Sequence, residues 1–276
     1  KKPCLEVVRM KKMQVWKGSR NMKPLEIKHR VIGGGEPLIC VPVVEQDAQS
    51  VIREITYLSQ STADMIEWRV DAFRDFTDYN AIRSVFEAVA PLLGEKLFLY
   101  TFRTAHQGGM AQVKAEQLDD LHDLAAESGC VDLVDLEFFE EDRPLHKIKR
   151  LREMGVSVIA SHHDFEQTPS PEVMKMLLEK MCTGGADIVK LAVMPQNYKD
   201  VLNLLDVTAQ FREENPDTPV ITMSMGSLGG ISRISGETFG SCVTFGAHEK
   251  PSAPGQFAMK ELRQMLDTIH ASSQIQ

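Results

Sequence analysis

Short apolar runs rich in β-branched residues recur along the chain, and each is followed by a longer segment with the periodicity of an amphipathic helix. Eight runs are spaced by about one strand-and-helix unit each. They are "PLICVPVV" from Pro37, "DMIEWRVD" from Asp64, "LFLYTFRT" from Leu97, "VDLVDLEFF" from Val131, "VSVIASHHDF" from Val156, "ADIVKLAV" from Ala186, "PVITMSMG" from Pro219 and "GSCVTFGA" from Gly240. Eight alternating units predict an α/β fold, a closed (β/α)8 TIM barrel, and favour it over an open doubly wound sheet.

The segment "KPLEIKHRVIGGGEP" precedes the first run and predicts two short strands around a turn. In a barrel this N-terminal β-hairpin would close the bottom mouth. The chain before it is basic and lacks a long apolar core. We therefore predict that residues 1–21 are an extension outside the fold, and that residues 22–276 form a single catalytic domain. Between the runs, "AQVKAEQLDDLHDLAAESG" predicts a helix from Ala111 that ends at the C-cap glycine Gly129.

Charged residues inside the predicted strands are informative, because parallel barrel strands are covered on both faces. In "DMIEWRVD", Glu67, Arg69 and Asp71 share one parity and the apolar residues share the other. In "ADIVKLAV", Lys190 lies between Val189 and Leu191. The apolar set should pack against the helices, so the charged set should face the barrel interior.

An inward lysine has two interpretations. Lys190 could form a structural ion pair with Glu67 or Asp71. Alternatively, burial and nearby arginines could keep its amine neutral, so that it acts as a nucleophile toward a ketone and forms an imine. The position of Lys190 alone does not decide between these two interpretations.

Further polar residues fall at the predicted strand ends, where barrel enzymes carry their catalytic groups. They are Arg103, the pair His162 and His163, Arg233, and the loop residues Ser252 and Gln256. By parity His163 faces inward and His162 faces the helices. A lysine, a histidine and three arginines suggest Schiff-base chemistry on a small anionic keto compound. A metal site around "SHHDF" and a phosphate cradle in "SMGSLGGISR" are the alternatives.

Composition narrows the classes of protein. The formal net charge is −8 and the pI about 5.5, which argues against a nucleic-acid surface. The five cysteines are scattered and odd in number, which favours a reducing cytoplasm over a disulfide framework. No apolar run approaches the ~20 residues of a membrane span. The triple glycine from Gly33 to Gly35 is not a dinucleotide-binding pattern.

Eight short motifs stand in one order along nearly the whole chain, from about Lys23 to Ile269. They are "EWRVD", "TFRT", "HDF", "ADIVKLAV", "SMG", "GISR", "FGSCVTF" and "SAPGQ". Each is weak alone, but together they resemble type I 3-dehydroquinate dehydratase, a lyase of the shikimate pathway. The resemblance implies a (β/α)8 barrel, usually a homodimer, that needs no metal or organic cofactor.

The resemblance also implies the reaction and the roles of residues. The substrate would be 3-dehydroquinate, converted to 3-dehydroshikimate by syn elimination of water, for aromatic amino acid biosynthesis. Lys190 would form the imine and His163 would transfer protons. Substrate binding would fall to Arg233 for the carboxylate, to Glu67, Arg69 and Arg103 for the hydroxyls, and to Ser252 and Gln256 in a lid, with Gln107 and Met225 in support.

One position departs from the family pattern. After "FRT" the family commonly has Glu-Gly-Gly, whereas this chain has "HQGG", with Gln107 at the glutamate's place. A glutamine carbonyl can still accept a hydrogen bond from the His163 imidazole, but it brings no negative charge. We therefore expect a lower pKa for His163 than a glutamate partner would give.

Three other functions are kept as alternatives. A class I aldolase acting on a sugar phosphate would share Lys190 but would need a phosphate site. A non-catalytic barrel would bind a shikimate-type acid without turnover. A metal-dependent hydrolase would require bound metal.

Overall fold

The fold was analysed in a computed structural model, which describes residues 25–274. The extension predicted for residues 1–21 lies outside the described residues. Two short strands come first, β1 (Leu25–Ile27) and β2 (Arg30–Ile32). Eight parallel strands follow: β3 (Leu38–Val43), β4 (Met65–Arg69), β5 (Leu97–Thr101), β6 (Leu133–Glu137), β7 (Ser157–Asp164), β8 (Ile188–Val193), β9 (Val220–Ser224) and β10 (Val243–Phe245).

Helices alternate with these strands. They are α1 (Ala48–Ser59), α2 (Tyr79–Val89), α3 (Ala115–Glu127), α4 (Pro144–Glu153), α5 (Pro171–Thr183), α6 (Tyr198–Glu214), the short α7 (Gly230–Ile234) and α8 (Gly236–Phe239), and α9 (Met259–Ser273). Side-chain caps begin several of them, since Asp47, Asp78, Ser170 and Asn197 each accept backbone N–H bonds of the first turn.

The eight parallel strands form a closed barrel. Their order is β10-β3-β4-β5-β6-β7-β8-β9, so β3 to β9 pair in sequence order and the last strand, β10, pairs with the first, β3. The remaining seam is bridged where Ser241, just before β10, pairs in parallel with Val220, and the Cys242 amide donates to the Val220 carbonyl at 2.8 Å. The predicted (β/α)8 barrel is confirmed.

Strand parity divides the core into two layers. Val189, Leu191 and Val193 of β8 belong to the outer layer between strands and helices. Ile188 and Ala192, on either side of Lys190, belong to the layer inside the barrel. Lys190 therefore faces inward, as predicted.

The β1–β2 hairpin lies at the N-terminal end of the barrel. Ile32 is fully buried in the inner layer, and Leu25 and Ile27 pack against that layer. Lys28 and Arg30 form ion pairs with Asp132 and Asp64, which precede β6 and β4. The hairpin thus covers the mouth opposite the strand ends that carry the predicted site.

One helix begins later than its sequence predicts. Helix α3 starts at Ala115 rather than Ala111. Ala111 instead pairs with Thr104 in an isolated bridge, and its carbonyl accepts the Ala105 amide at 3.0 Å. The apolar residues of this segment are therefore used to fold the loop after β5 back on itself. Within residues 25–274, no helix has the length and apolar character to cross a bilayer.

Candidate active site

A polar cavity opens at the C-terminal ends of the barrel strands. It encloses about 460 Å³ of space between atoms, including its open mouth, a volume in the range of small-molecule sites. The lining residues include eight predicted site residues: Glu67, Arg69, Arg103, Gln107, His163, Lys190, Ser252 and Gln256. Met225, also predicted, lies on the wall beside Met223, Phe165 and Phe245.

Lys190 lies in the cavity wall and is 3% exposed. Its Nζ donates to Asp135 Oδ2 at 2.9 Å and lies 4.5 Å from the centre of the Phe245 ring. The ion-pair partner suggested by the sequence was wrong: the carboxylate comes from β6, not from Glu67 or Asp71. Asp135 was not among the residues predicted from the sequence.

Asp135 connects Lys190 to Arg103. Its second oxygen, Oδ1, accepts from Arg103 Nη2 at 2.8 Å and from Ser161 Oγ at 2.6 Å. Burial alone would raise the pKa of Asp135, but the positive charges of Arg103 and Lys190 hold it well below its ordinary value. Asp135 is therefore an anion at neutral pH and is not a proton acceptor for the cavity.

Arg103 is held by two carboxylates. Besides Asp135, its Nη1 donates to Glu137 Oε1 at 2.9 Å. Burial lowers the pKa of Arg103, but Asp135 and Glu137 together raise it above its usual value. Glu137 also accepts from the Thr104 amide and hydroxyl. This network fixes the start of the loop after β5. Glu137, like Asp135, was not among the site residues predicted from the sequence.

His163 is oriented by Gln107. The Gln107 Oε1 accepts from the His163 backbone N–H at 2.9 Å and lies 3.0 Å from His163 Nδ1. Because a carbonyl oxygen only accepts, Nδ1 carries the proton and Nε2 keeps the lone pair. Burial, followed by the charges of Arg103 and Lys190, lowers the pKa of His163 well below its ordinary value. The imidazole is therefore a neutral base.

His163 and Lys190 come from neighbouring strands. Lys190 is paired in register with Ser161 on β7, and His163 stands two residues further along that strand with the same parity. His162, which lies between Ser161 and His163 in sequence, has the opposite parity. It packs edge-on against Phe139, with ring centres 5.4 Å apart. His162 thus lies on the helix side, as predicted.

Arg69 and Glu67 project from β4. Arg69 makes two 2.8 Å hydrogen bonds to the Asp71 carboxylate. That carboxylate also accepts from the backbone amides of Arg103 and Met110. Glu67 accepts from Thr101 Oγ1 at 2.8 Å. Both side chains therefore reach the cavity already held in one geometry.

Arg233 is buried in α7 but is not among the residues that line the cavity. Its Nη2 donates to the Pro254 carbonyl at 2.9 Å. Its Nε and Nη1 have no hydrogen-bond partner among the described residues. Burial lowers the pKa of Arg233 to about 10, so it is still charged at neutral pH. A buried cation without an anion is costly, which marks a place for an anionic group.

The loop after β10 covers the cavity. Gln256 holds the loop across itself, since its Oε1 accepts from the Ser252 amide at 2.8 Å and its Nε2 donates to Ser252 Oγ at 3.0 Å. Both residues face the cavity together with Ala253. The predicted lid segment therefore stands over the site.

The segment "SHHDF", the alternative metal site, does not gather its side chains around one point. Within residues 25–274, no group of three or more histidine, cysteine, aspartate or glutamate side chains is arranged to hold a metal ion. The residues of "SHHDF" point in different directions. His162 packs on Phe139, and Asp164 Oδ1 accepts the amides of Glu166 and Gln167.

The fold and the cavity define a class of protein: a (β/α)8 barrel enzyme with a buried amine and a neutral imidazole at the C-terminal ends of its strands. Comparison with known proteins gives the family. The profile described as type I 3-dehydroquinase matches residues 39–273. The chain belongs to the type I 3-dehydroquinase family.

Individual relatives agree with that assignment. The 3-dehydroquinate dehydratase of Syntrophotalea carbinolica is 41% identical over 250 residues, which cover 90% of this chain and 99% of the relative. That of Escherichia coli is 40% identical over the same shares. The Clostridium difficile type I enzyme, solved with covalent modified comenic acid, has a TM-score of 0.87 and 38% identity, covering 91% of this chain and 99% of its own. The Geobacillus kaustophilus enzyme has a TM-score of 0.88 and 35% identity, covering 91% and 98%.

Proposed function

We propose that this protein dehydrates 3-dehydroquinate to 3-dehydroshikimate through an imine on Lys190. The observation that carries the proposal is the Lys190 amine in the wall of a polar cavity, on the strand next to a neutral, oriented His163. Family membership supports the substrate, since the curated relatives are 3-dehydroquinate dehydratases.

The reaction begins with covalent attachment. The Lys190 ammonium gives up a proton, and its neutral amine attacks the substrate ketone. The carbonyl oxygen leaves as water with the two protons that the nitrogen loses, and the nitrogen keeps one proton in the protonated imine. The imine withdraws electrons far more strongly than the ketone and so acidifies the neighbouring C–H. A covalent lysine is therefore useful for an elimination from a poorly acidic carbon. The relative solved with a covalent modified acid supports a site of this reactivity.

His163 then transfers the protons. Its Nε2 takes the proton from the carbon beside the imine, because Gln107 occupies Nδ1. The electron pair forms the new C=C bond as the hydroxyl on the next carbon departs, protonated by the same imidazole, as water. Hydrolysis of the imine releases 3-dehydroshikimate and restores Lys190. None of these reaction steps needs a metal or an organic cofactor.

The other site residues bind the substrate. Arg233 would pair with the carboxylate through the Nε and Nη1 groups that lack a partner among the described residues. Glu67, Arg69 and Arg103 would hold the hydroxyls, and Met225 would pack against the ring. Ser252 and Gln256 would cover the bound molecule as part of the lid.

We further propose a place in aromatic amino acid biosynthesis, within the cytoplasm, for a homodimer. In this scheme residues 22–276 form the single catalytic domain. Free thiols at Cys40, Cys130, Cys182 and Cys242 support a reducing compartment. Exposed apolar side chains, among them Tyr198 and Leu202 on α6, support a contact with a second copy.

The experiment is reductive trapping. The protein is incubated with 3-dehydroquinate and sodium borohydride, and its intact mass and peptide map are measured. We expect a covalent adduct on Lys190. Lys190→Arg is the matched variant: it keeps a positive charge beside Asp135 but cannot form the imine, so it should fold and give no adduct.

The alternatives give different results. If the folded protein neither forms an adduct nor consumes dehydroquinate, Lys190 is only the ion-pair partner of Asp135 and the proposal is wrong. Turnover of a sugar phosphate instead of dehydroquinate would select the aldolase. Binding of a shikimate-type acid without turnover would select the regulatory barrel.

A further inference from the structure

The lid segment, residues 248–256, leaves the barrel between two backbone positions that are held together. The Ala247 amide donates to the Phe257 carbonyl at 2.9 Å, and the Ala247 carbonyl accepts the Met259 amide at 2.8 Å. The ends of the segment are therefore fixed side by side. Between these ends, residues 248–250 form an outgoing leg and residues 254–256 form a returning leg. The conformation of the segment depends on what each leg contacts.

The outgoing leg is held by His248 against helix α1. The His248 Nδ1 lies 2.7 Å from Glu54 Oε1, so the ring donates a hydrogen bond to this carboxylate. The imidazole also stacks on the Tyr57 ring, with centroids 4.0 Å apart and planes 17° from parallel. Glu54 and Tyr57 are three residues apart on α1 and so share one helical face.

The returning leg is held over the cavity by different groups. The Pro254 carbonyl accepts from Arg233 Nη2 at 2.9 Å and from the Gly226 amide at 3.2 Å. The next residue, Gly255, has φ +78°, and a Cβ there would lie 2.3 Å from the Gly226 carbonyl oxygen. This leg is therefore tied to the same arginine that we propose for the substrate carboxylate.

The two legs differ in what they contact. The returning leg rests on Arg233, to which the proposed function also assigns the substrate carboxylate, whereas the outgoing leg rests on α1, outside the cavity. Another outgoing-leg contact, Lys250 Nζ to Glu45 Oε1 at 3.3 Å, is made by a side chain that is 65% exposed. Such a surface pair contributes little. The stacked and hydrogen-bonded His248 is the stronger attachment.

We propose that His248 is a positioning residue that latches the lid onto α1 through Glu54 and Tyr57, so that Ser252 and Gln256 stand over the cavity before substrate arrives. The pre-formed lid reduces the ordering that substrate binding would otherwise require. The latch therefore favours substrate binding and leaves the chemical steps at Lys190 and His163 unchanged. Its kinetic consequence rests on the proposed function, whereas its structural consequence does not.

The first test is hydrogen–deuterium exchange of the ligand-free protein. In His248→Ala we expect the backbone amides of residues 249–256 to exchange on the order of tenfold faster, which corresponds to loss of a charge-assisted hydrogen bond and its stack. The barrel strands should exchange at the unchanged rate. Lys250→Ala, which removes the exposed pair on the same leg, is the matched control and should leave the segment close to the parent.

Two further variants separate the two contacts. His248→Phe keeps a ring for Tyr57 and loses the donor, whereas His248→Gln keeps a donor for Glu54 and loses the stack. Each should give an intermediate exchange rate. Glu54→Ala should add little in a protein that already carries His248→Ala, since both remove the same hydrogen bond.

The second test is steady-state kinetics with 3-dehydroquinate. We expect His248→Ala to raise KM about fivefold to tenfold with kcat nearly unchanged, because only the ordering of the lid is affected. Unchanged exchange in the segment would overturn the latch even in an active enzyme. Faster exchange throughout the barrel would assign His248 to general stability instead. Absence of Lys190 trapping with faster lid exchange would overturn the proposed function and leave the latch standing.

Discussion

Gln107 defines the chemistry available to His163. Its carbonyl oxygen is fixed toward the imidazole, because the same oxygen accepts the His163 backbone amide. The positive charges that face the ring come from Arg103, Lys190 and Arg69, and the negative charge comes from Asp135. With an uncharged orienting group, nothing at Nδ1 stabilises the imidazolium. The imidazole therefore stays neutral at pH values well below the usual pKa range of histidine.

The substitution Gln107→Glu tests this description. A carboxylate at Nδ1 favours the imidazolium and should raise the pKa of His163. Since the base acts in its neutral form, activity is lost as pH falls through this pKa, and the acid limb of kcat/KM should move to higher pH by about one unit. The pH profile measures this, and an NMR titration of His163 should move in parallel.

Gln107→Met is the matched control, because it removes the acceptor without adding charge. It should lower kcat through misorientation of the ring and should not move the acid limb upward. An acid limb that stays in place in Gln107→Glu would mean that the charge of this side chain does not reach the imidazole.

The inward direction of Lys190 and His163 could be predicted because barrel geometry converts strand parity into direction. Lys190 and Glu67 alternate with apolar neighbours, so they had to face inward. Asp135 and Glu137 carry the same signal in "VDLVDLEFF" and could have been found by it. What the sequence does not contain is pairing across strands, so the partner of Lys190 was assigned to the wrong carboxylates.

At the scale of elements, β5 and α3 enclose a polar cluster that the chemistry does not use. His122 of α3 is buried, and neither ring nitrogen has a partner among the described residues. Its ring packs edge-on to Tyr100, whose hydroxyl is likewise unpartnered within that part of the chain. Burial lowers the pKa of His122 to about 4. The imidazole must therefore stay neutral for α3 to remain docked.

This predicts acid sensitivity of the fold. The unfolded chain binds a proton at His122 near pH 6.5, whereas the folded protein does so only near pH 4. Stability should therefore fall as pH drops from about 6.5 to 4, by up to about 3 kcal/mol from this residue. His122→Phe removes the titration and should flatten the pH dependence of the unfolding free energy, measured by urea denaturation.

His146→Gln, at an exposed position on α4, is the matched surface substitution for comparison. Equal pH dependence in His122→Phe and the parent protein would mean that His122 is solvated or partnered in solution. Elements also show a limit of sequence analysis. The segment from Ala111 is apolar and periodic enough for a helix, but Asp71, which is distant in sequence, accepts the Met110 amide, and Ala111 pairs with Thr104, so the segment is held as a loop.

For the whole molecule, the contacts that close the barrel and the charged groups of the candidate site lie at opposite ends. The hairpin fills the N-terminal mouth with Ile32 and closes its rim with ion pairs. The charged network of Asp135, Arg103 and Lys190 lies toward the other end. Closure of eight strands was predictable from the spacing of the runs, because each unit is local. The surface that a second copy would cover was not predictable, because the exposure of a side chain depends on how strand-and-helix units distant in sequence pack together.

That surface supports the last prediction. Strands β8 and β9 are adjacent and parallel, so the segments that follow them leave the barrel at the same end. On α6, which follows β8, Tyr198 is 79% exposed and Leu202 is 64% exposed. Leu228 and Ile231, after β9, are also exposed. Burying such side chains contributes about 1.5–3 kcal/mol each. If a second copy covers this surface, Tyr198→Glu together with Leu202→Lys should weaken the dimer at least ~100-fold.

Sedimentation velocity across a concentration series measures this shift. Leu145→Glu, which places a charge at an exposed apolar position on α4, is the matched control and should leave the dimer intact. Lys190, His163 and the other lining residues of this chain already enclose the cavity, so we expect the monomeric variant still to form the Lys190 adduct. A dimer that survives the double substitution would place the contact on another face. A parent protein that is monomeric at every concentration would show that this apolar surface does not hold a second copy.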